Sequence, residues 1–145
     1  MRKTIYSLSL CVLALIVITG CKKETRSAQQ HNSSKSTIDG KWNLIRLYGG
    51  IMGADENHAT GEIEWNFDTQ SNTLTVTNTA GNSSYYSLPS GTYSFQEISN
   101  SNQHYLVIEA NELGEFVISG NQMLIDENKK SSGEGACGFY MVLER

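Results

Sequence analysis

Residues 62–79 read EIEWNFDTQSNTLTVTNT, and this stretch indicates the fold class. Apolar and polar residues alternate strictly in its first half, so Ile63, Trp65 and Phe67 share one face of an extended chain. Residues 73–79 alternate in the same way. The short polar connection between the two halves is typical of a β-hairpin that joins two half-buried antiparallel strands.

The same alternation recurs through the rest of the chain, with turn residues between the alternating segments. It predicts eight strands, at residues 41–48, 62–68, 73–79, 91–98, 104–110, 113–119, 122–127 and 138–144. Consecutive hairpins favour an up-and-down meander, and closing the meander removes its exposed edges. We therefore expect an all-β domain that is an eight-stranded antiparallel barrel, with a β-sandwich as the alternative. The interior of such a barrel is either filled by side chains or holds one small ligand.

The N-terminus has the composition of an export signal. Arg2 and Lys3 are followed by an apolar run over residues 8–18, which is much shorter than the roughly 20 residues of a spanning helix. A basic start, a short apolar centre and small residues at its end predict a signal peptide over residues 1–20.

Ile18-Thr19-Gly20-Cys21 resembles the lipobox of bacterial lipoproteins. The resemblance implies cleavage between Gly20 and Cys21, a diacylglycerol thioether on Cys21, and a further acyl chain such as palmitate on the new amino group. Two or more acyl chains anchor a protein stably, whereas one holds it only marginally. The resemblance therefore implies a membrane anchor in a bacterial envelope. Lys22, directly after the lipidated cysteine, favours the outer membrane over the inner membrane. The sequence does not decide between the periplasmic face of the outer membrane and the cell surface.

Residues 21–37 are predicted to be the lipidated cysteine and a disordered tether, because residues 22–37 contain no large apolar residue. The folded domain is then residues 38–145. The whole chain has a formal charge of −4 from 11 basic and 15 acidic residues. Loss of Arg2 and Lys3 with the signal leaves nine basic residues and a charge of −6. Nucleic acid is therefore not an expected partner.

The three cysteines do not predict an intramolecular disulfide. Cys11 leaves with the signal and Cys21 carries lipid, so only Cys137 remains in the domain. We expect Cys137 to be a small buried hydrophobic residue.

Gly40-Lys41-Trp42 resembles the G-x-W motif that opens the first strand of lipocalins. In that family the tryptophan plugs one end of the barrel and a basic side chain covers its ring. Because the first and last strands of a closed meander pair antiparallel, Arg145 is expected beside Trp42. The other aromatic residues on alternating faces are candidate interior or ligand-lining residues, namely Trp65, Phe67, Tyr93, Phe95, Tyr105, Phe116 and Phe139.

No catalytic residue, metal site or cofactor is predicted, because no nucleophile elbow, zinc motif or phosphate loop is present in the sequence. Residues 55–58, DENH, offer ligand atoms but match no known metal-site spacing. The loop over residues 49–61 is therefore expected to be solvated and acidic.

Two functions follow from these patterns, and neither is enzymatic. The first is a lipocalin-like domain that binds a small apolar ligand. The second is a protein-interaction or inhibitor module of the cell envelope that acts through its loops, above all the polar and flexible loop predicted at residues 129–136.

The predicted cleavage and lipidation at Cys21 can be tested on the isolated protein. The protein isolated from bacterial membranes should begin at Cys21 and carry a thioether-linked lipid, and Cys21→Ser should leave the signal uncleaved and lipid-free. Intact-mass measurement of both proteins distinguishes these products. An unmodified Cys21 in the membrane-derived protein would contradict the lipobox assignment.

Overall fold

The structure is a computed structural model that describes residues 38–81 and 87–145, all within the unit Asn32–Arg145. The predicted signal peptide, the lipobox with Gly20 and Cys21, and the tether lie outside the described residues.

The described residues form eleven strands, and no helix long and apolar enough to cross a membrane occurs among them. The strands are β1 Gly40–Gly49, β2 Ala54–Asn57, β3 Ile63–Asp68, β4 Thr73–Asn78, β5 Gly91–Asn100, β6 Gln103–Ile108, β7 Asn111–Ser119, β8 Gln122–Asp126, β9 Lys129–Lys130, β10 Gly133–Glu134 and β11 Phe139–Glu144.

Eight of these strands close into an antiparallel barrel. The order around the ring is β1-β3-β4-β5-β6-β7-β8-β11, and β11 pairs back onto β1. The closing register places Leu44 opposite Leu143 and Leu47 opposite Met141. The up-and-down barrel predicted from the alternation is confirmed, and the closing β1–β11 pair rules out the sandwich.

Side chains alternate between the two faces of each strand, so every second side chain points into the barrel, and together these side chains fill its interior. In β3 the side chains of Ile63, Trp65 and Phe67 are buried, while Asn66 and Asp68 face solvent. Among the described residues, the largest fully buried side chains are those of Trp42, Trp65, Phe67, Ile38, Leu44, Leu47, Ile63, Leu74, Leu106, Met123, Ile125 and Leu143. The interior is therefore a packed hydrophobic core.

The prediction of a solvated loop over residues 49–61 was wrong. This segment contains β2, which pairs with the second half of β1, whereas β3 pairs with the first half. A β-bulge between Leu44 and Arg46 lies where β1 changes from one partner to the other. Three of the four residues of β2, ADEN, are polar and the fourth is the small Ala54, so hydrophobic alternation could not indicate a strand there.

The prediction of a flexible loop at residues 129–136 was also wrong. β9 and β10 form a short hairpin that is bonded to the barrel wall. The Lys130 Nζ donates to the carbonyl oxygens of Glu112 at 2.7 Å and Leu113 at 2.8 Å. The Ser131 hydroxyl donates to the Glu112 carboxylate at 2.6 Å. These bonds hold the hairpin against β7.

The two ends of the barrel differ in character. β1 starts after Ile38 at one end, which we call the Trp42 end, and leads at Gly49 to the turn Gly50–Gly53 at the other. At about 3.3 Å per residue, the ten residues of β1 separate these ends by roughly 30 Å. Ile38, the first described residue, therefore lies at the end opposite the β1–β2 turn.

Gly114 lies at the irregularity in β7 where the register with β6 shifts between Leu106 and Val107. Its φ is 151°, and a Cβ atom there would lie 2.2 Å from the carbonyl oxygen of Asp126 on β8. Only glycine permits this approach of the two backbones.

Gly114→Ala should therefore destabilise the barrel by roughly 3 kcal/mol or more, because the backbone of β7 or β8 has to move. Gly120→Ala is the control, because Gly120 also has a positive φ, 63°, but has no atom within 4 Å of its added Cβ. Its expected cost is about 1–2 kcal/mol from backbone strain alone. Urea unfolding measures both, and equal losses in the two variants would contradict the packing argument.

Candidate functional site

The Trp42 end of the barrel is closed by the contact that the sequence predicts. The Arg145 guanidinium carbon lies 4.4 Å from the centroid of the Trp42 ring. The indole Nε1 donates to the carbonyl oxygen of Ile38 at 2.7 Å, and the Arg145 backbone N–H donates to Asn121 at 3.0 Å. The indole is fully buried, so this end offers no open mouth beside Trp42.

Most of the predicted interior aromatic residues lie in the core. Trp65, Phe67, Phe95 and Phe116 are buried in the core cluster. The Phe67 and Phe95 rings meet edge to face with centroids 5.1 Å apart, a packed arrangement that leaves little room for a ligand between them. Tyr93 and Phe139 are half-buried and pack against the cluster.

Tyr105 is the exception, and its assignment to the interior was wrong. Leu106 and Ile108 of β6 belong to the core, so Tyr105 points to the outer wall. There it is buried beneath the β9–β10 hairpin, where it lines a polar cleft of about 400 Å³ with Lys129 and Glu134.

One polar atom of the core lacks a hydrogen bond. Trp65 Nε1 is inaccessible to solvent and has no hydrogen-bond partner in the described part of the chain. An unsatisfied buried donor costs about 1–3 kcal/mol, so most folds avoid it. The indole N–H is therefore free to donate to a polar atom that enters the barrel.

The opposite end of the barrel carries an exposed apolar surface. Ile51 is 83% exposed and Met52 is 87% exposed at the turn between β1 and β2. A cavity of about 240 Å³ lies beside them. We call its lining the hairpin-tip surface, which consists of Gly49, Gly50, Ile51, Met52, Ala54, Cys137 and Phe139.

Backbone geometry shapes the hairpin-tip surface. Gly50 has a φ of 68°, and its backbone N–H donates to the carbonyl oxygen of Gly138 at 3.1 Å. A Cβ atom on Gly50 would lie 2.6 Å from the Phe139 ring, so the ring and the turn fit together only with glycine there. Cys137 is exposed at this surface, and the prediction that it is buried was wrong.

An ion pair on the outer wall joins β2 to β1. Arg46 donates to both carboxylate oxygens of Asp55 at 2.8 Å, and its guanidinium carbon lies 4.6 Å from the Tyr48 ring centroid. The hydrogen bond from Arg46 lowers the pKa of Asp55, and the same bond raises the pKa of Arg46. Tyr48 stacks on Tyr140 of β11 at 5.1 Å. The base of the β1–β2 hairpin is thereby fixed.

A second ion pair holds the β9–β10 hairpin over Tyr105. Lys129 Nζ lies 2.9 Å from Glu115 Oε2, and the side chain of Glu115 is only 10% exposed. The hydrogen bond and charge of Glu115 raise the pKa of Lys129. The lysine therefore remains a cation across the physiological pH range.

His104 contacts a serine and a carboxylate, but the geometry differs from that of a hydrolase triad. Ser99 Oγ lies 3.2 Å and Glu97 Oε1 lies 2.7 Å from the same ring nitrogen, Nδ1. A nucleophilic relay requires the hydroxyl and the carboxylate on opposite nitrogens. The three side chains therefore cannot act as a triad in this arrangement. Glu97 and His104 line a cavity of about 210 Å³ beside the start of β6.

His58 lies in the segment that was predicted to be solvated, yet its side chain is only 3% exposed. The carboxylates of Glu56 and Glu62 lie on either side of its ring. The spacing Glu-x-His in residues 56–58 is the sequence signal for this cluster, because residues two apart in an extended chain share a face and His58 directly follows the last residue of β2. That signal becomes informative only once β2 is recognised as a strand.

Comparisons of the chain with protein-family models, with curated proteins and with solved structures found no match. Among the described residues, no group of three or more His, Cys, Asp and Glu side chains has the geometry of a metal centre.

Proposed function

We propose that this protein is a lipid-anchored, non-enzymatic protein of the bacterial envelope whose barrel binds another protein through the hairpin-tip surface. The observation that carries the proposal is the exposure of Ile51 and Met52 beside an apolar cavity. The partner is expected to present an apolar side chain that fits this cavity. In a soluble domain, contiguous exposed apolar side chains typically mark an interaction site.

The surroundings of the hairpin-tip surface support binding without large rearrangement. The core beneath it is packed, and the Arg46–Asp55 ion pair joins the two strands at the base of the projecting hairpin. A surface that is already ordered loses less conformational entropy when it binds. The surface area that Ile51 and Met52 would bury against a partner can therefore contribute to the affinity.

The position of the surface suits an anchored protein. The tether predicted at residues 22–37 would join the domain at Ile38, next to the start of β1, and the hairpin tip lies at the opposite end of β1. A tether of 16 residues spans on the order of 20–25 Å. The hairpin tip is thus free to face away from the membrane that holds the lipid.

The double variant Ile51→Ser/Met52→Ser should lose the partner while the barrel stays folded. A photo-reactive amino acid at Ala54, on the same surface, should cross-link the lipidated protein to one discrete species in intact envelopes. The double variant should reduce this yield by about tenfold or more, because apolar anchors dominate such interfaces.

Val117→Ser is the matched control, because Val117 is also exposed, at 56%, but lies on the wall of β7 away from the hairpin tip. The control should retain the cross-link. Equal loss in both variants, or no discrete species with the wild-type protein, would contradict docking through the hairpin-tip surface.

A small apolar ligand is the second candidate function, and Trp65 Nε1 is the observation that favours it. A ligand with an apolar body and a single polar acceptor would satisfy this buried donor on entering the barrel. The interior residues Phe67 and Phe95 would then have to move apart.

Native mass spectrometry of the protein purified from bacterial membranes should show an additional small molecule if this second function holds. Trp65→Phe removes the donor, and it should release the ligand while keeping an aromatic ring in the core. A wild-type mass that matches the lipidated chain alone would contradict ligand binding.

A further inference from the structure

The cluster of Glu56, His58 and Glu62 lies where β2 ends and β3 begins. Glu56 is opposite Leu47 of β1, whose side chain is in the core, so the Glu56 side chain lies on the inner face of the strand pair. His58 lies two residues further along the same face, and its backbone N–H donates to the carbonyl oxygen of Ile45 at 2.9 Å. The strand geometry thus places the carboxylate and the imidazole side by side.

The third residue is held in place by the turn between the strands. The Glu62 backbone N–H donates to the carbonyl oxygen of Ala59 at 3.0 Å, and the Ala59 N–H donates to Glu62 Oε2 at 2.9 Å. The Gly61 N–H donates to Asn43 Oδ1 of β1 at 2.8 Å. These bonds fix the Glu62 carboxylate, with Oε2 3.8 Å from His58 Nδ1.

Two atoms of this cluster are buried without a hydrogen bond. His58 Nε2 and Glu56 Oε2 are inaccessible to solvent and have no hydrogen-bond partner among the described residues. They lie 3.7 Å apart, which is too long for a hydrogen bond between them. Neither Glu56 nor Glu62 pairs with a Lys or Arg in the described part of the chain. A cation in contact with both Nε2 and Oε2 would satisfy both atoms.

We propose that His58 Nε2 and Glu56 Oε2 bind one divalent transition-metal ion, with Zn²⁺ as the reference case. Zn–N and Zn–O bonds of about 2.0–2.2 Å span two atoms 3.7 Å apart with an angle of about 125° at the metal. Imidazole disfavours Ca²⁺ and Mg²⁺, which prefer oxygen ligands. The two carboxylates balance the charge of a dication.

Glu62 has a different role in this site. Metal-binding histidines usually donate the other ring N–H to a carboxylate or carbonyl, and this fixes the tautomer that leaves the ligating nitrogen unprotonated. Glu62 Oε2 lies on the Nδ1 side of the ring, opposite Glu56, at 3.8 Å from Nδ1, so this hydrogen bond forms only if the two groups move closer when the metal binds. Two protein ligands are fewer than the four of a structural zinc site, so the affinity is expected to be weaker than at such a site.

The proposal is tested by titrating the detergent-solubilised, full-length protein with Zn²⁺ in a calorimeter and with Co²⁺ by visible absorption. All samples carry Cys137→Ser, so that the exposed thiol cannot bind the metal. We expect one ion per chain and a Co²⁺ spectrum of low-symmetry nitrogen and oxygen coordination. Glu56→Gln and His58→Gln should abolish this binding, and Glu62→Gln should weaken it about 10- to 100-fold.

His104→Gln is the matched control, because His104 is a surface histidine with the Glu97 carboxylate 2.7 Å from its ring. It should bind Zn²⁺ as the wild-type protein does. If the His58 variant does not fold, Glu56→Gln and the nitrogen NMR signals of His58 in the wild-type chain still decide the question. Binding that survives Glu56→Gln, loss of binding in His104→Gln, or His58 nitrogen signals that Zn²⁺ leaves unchanged would each overturn the proposal.

Discussion

The pairing of β1 with β11 is the constraint on which the rest of this structure depends. It joins residues as distant in sequence as Asn43 and Glu144, 101 positions apart, and converts a chain of hairpins into a ring. Without it, both strands would present unpaired backbone groups along their edges. The same pairing brings Arg145 to Trp42 and Tyr140 to Tyr48, so the plug at one end and the stacked rings on the wall both follow from it.

Closure also determines where binding surfaces can occur. Eight strands enclose a space that bulky side chains can fill, and here Trp42, Trp65 and Phe67 occupy it together with the aliphatic residues of the core. Binding surfaces can then form only at the two ends of the barrel or on segments that lie outside the ring of eight strands. β2 and the β9–β10 hairpin are such additions, and the hairpin-tip surface, the His58 cluster and the polar cleft over Tyr105 all involve one of them.

The barrel strands were predictable because each carries apolar residues at every second position, as Ile63, Trp65 and Phe67 do. The added segments were not. β2 consists of Ala, Asp, Glu and Asn. It is a strand because β1 continues past its pairing with β3, and residues 46–49 of β1 pair with β2. The β9–β10 hairpin is held by Lys130 and Ser131, whose partner Glu112 lies on another strand.

The residues of the candidate sites also differ in how far the sequence predicts their positions. Trp42 and Arg145 were predictable, because closure of a meander dictates which strand ends meet. Tyr105 lies in the apolar run YLVI, where alternation does not show which face points inward, and the burial of Leu106 and Ile108 in the core places Tyr105 on the outer face. The burial of His58 depends on β2 and on the turn bonds of Glu62, and neither has a hydrophobic signature. The exposure of Cys137 depends on the turn in which it adopts a φ of 69°.

The wide separation between β1 and β11 also has a kinetic consequence. Local hairpins such as β3–β4 can form early, but the ring cannot close until β11 has left the ribosome, nearly the whole domain after β1. Until then the edge of β1 that pairs with β11 is open, and the apolar side chains of both strands stay accessible to other molecules. Synthesis of this chain therefore passes through a long window in which chaperones can hold it open.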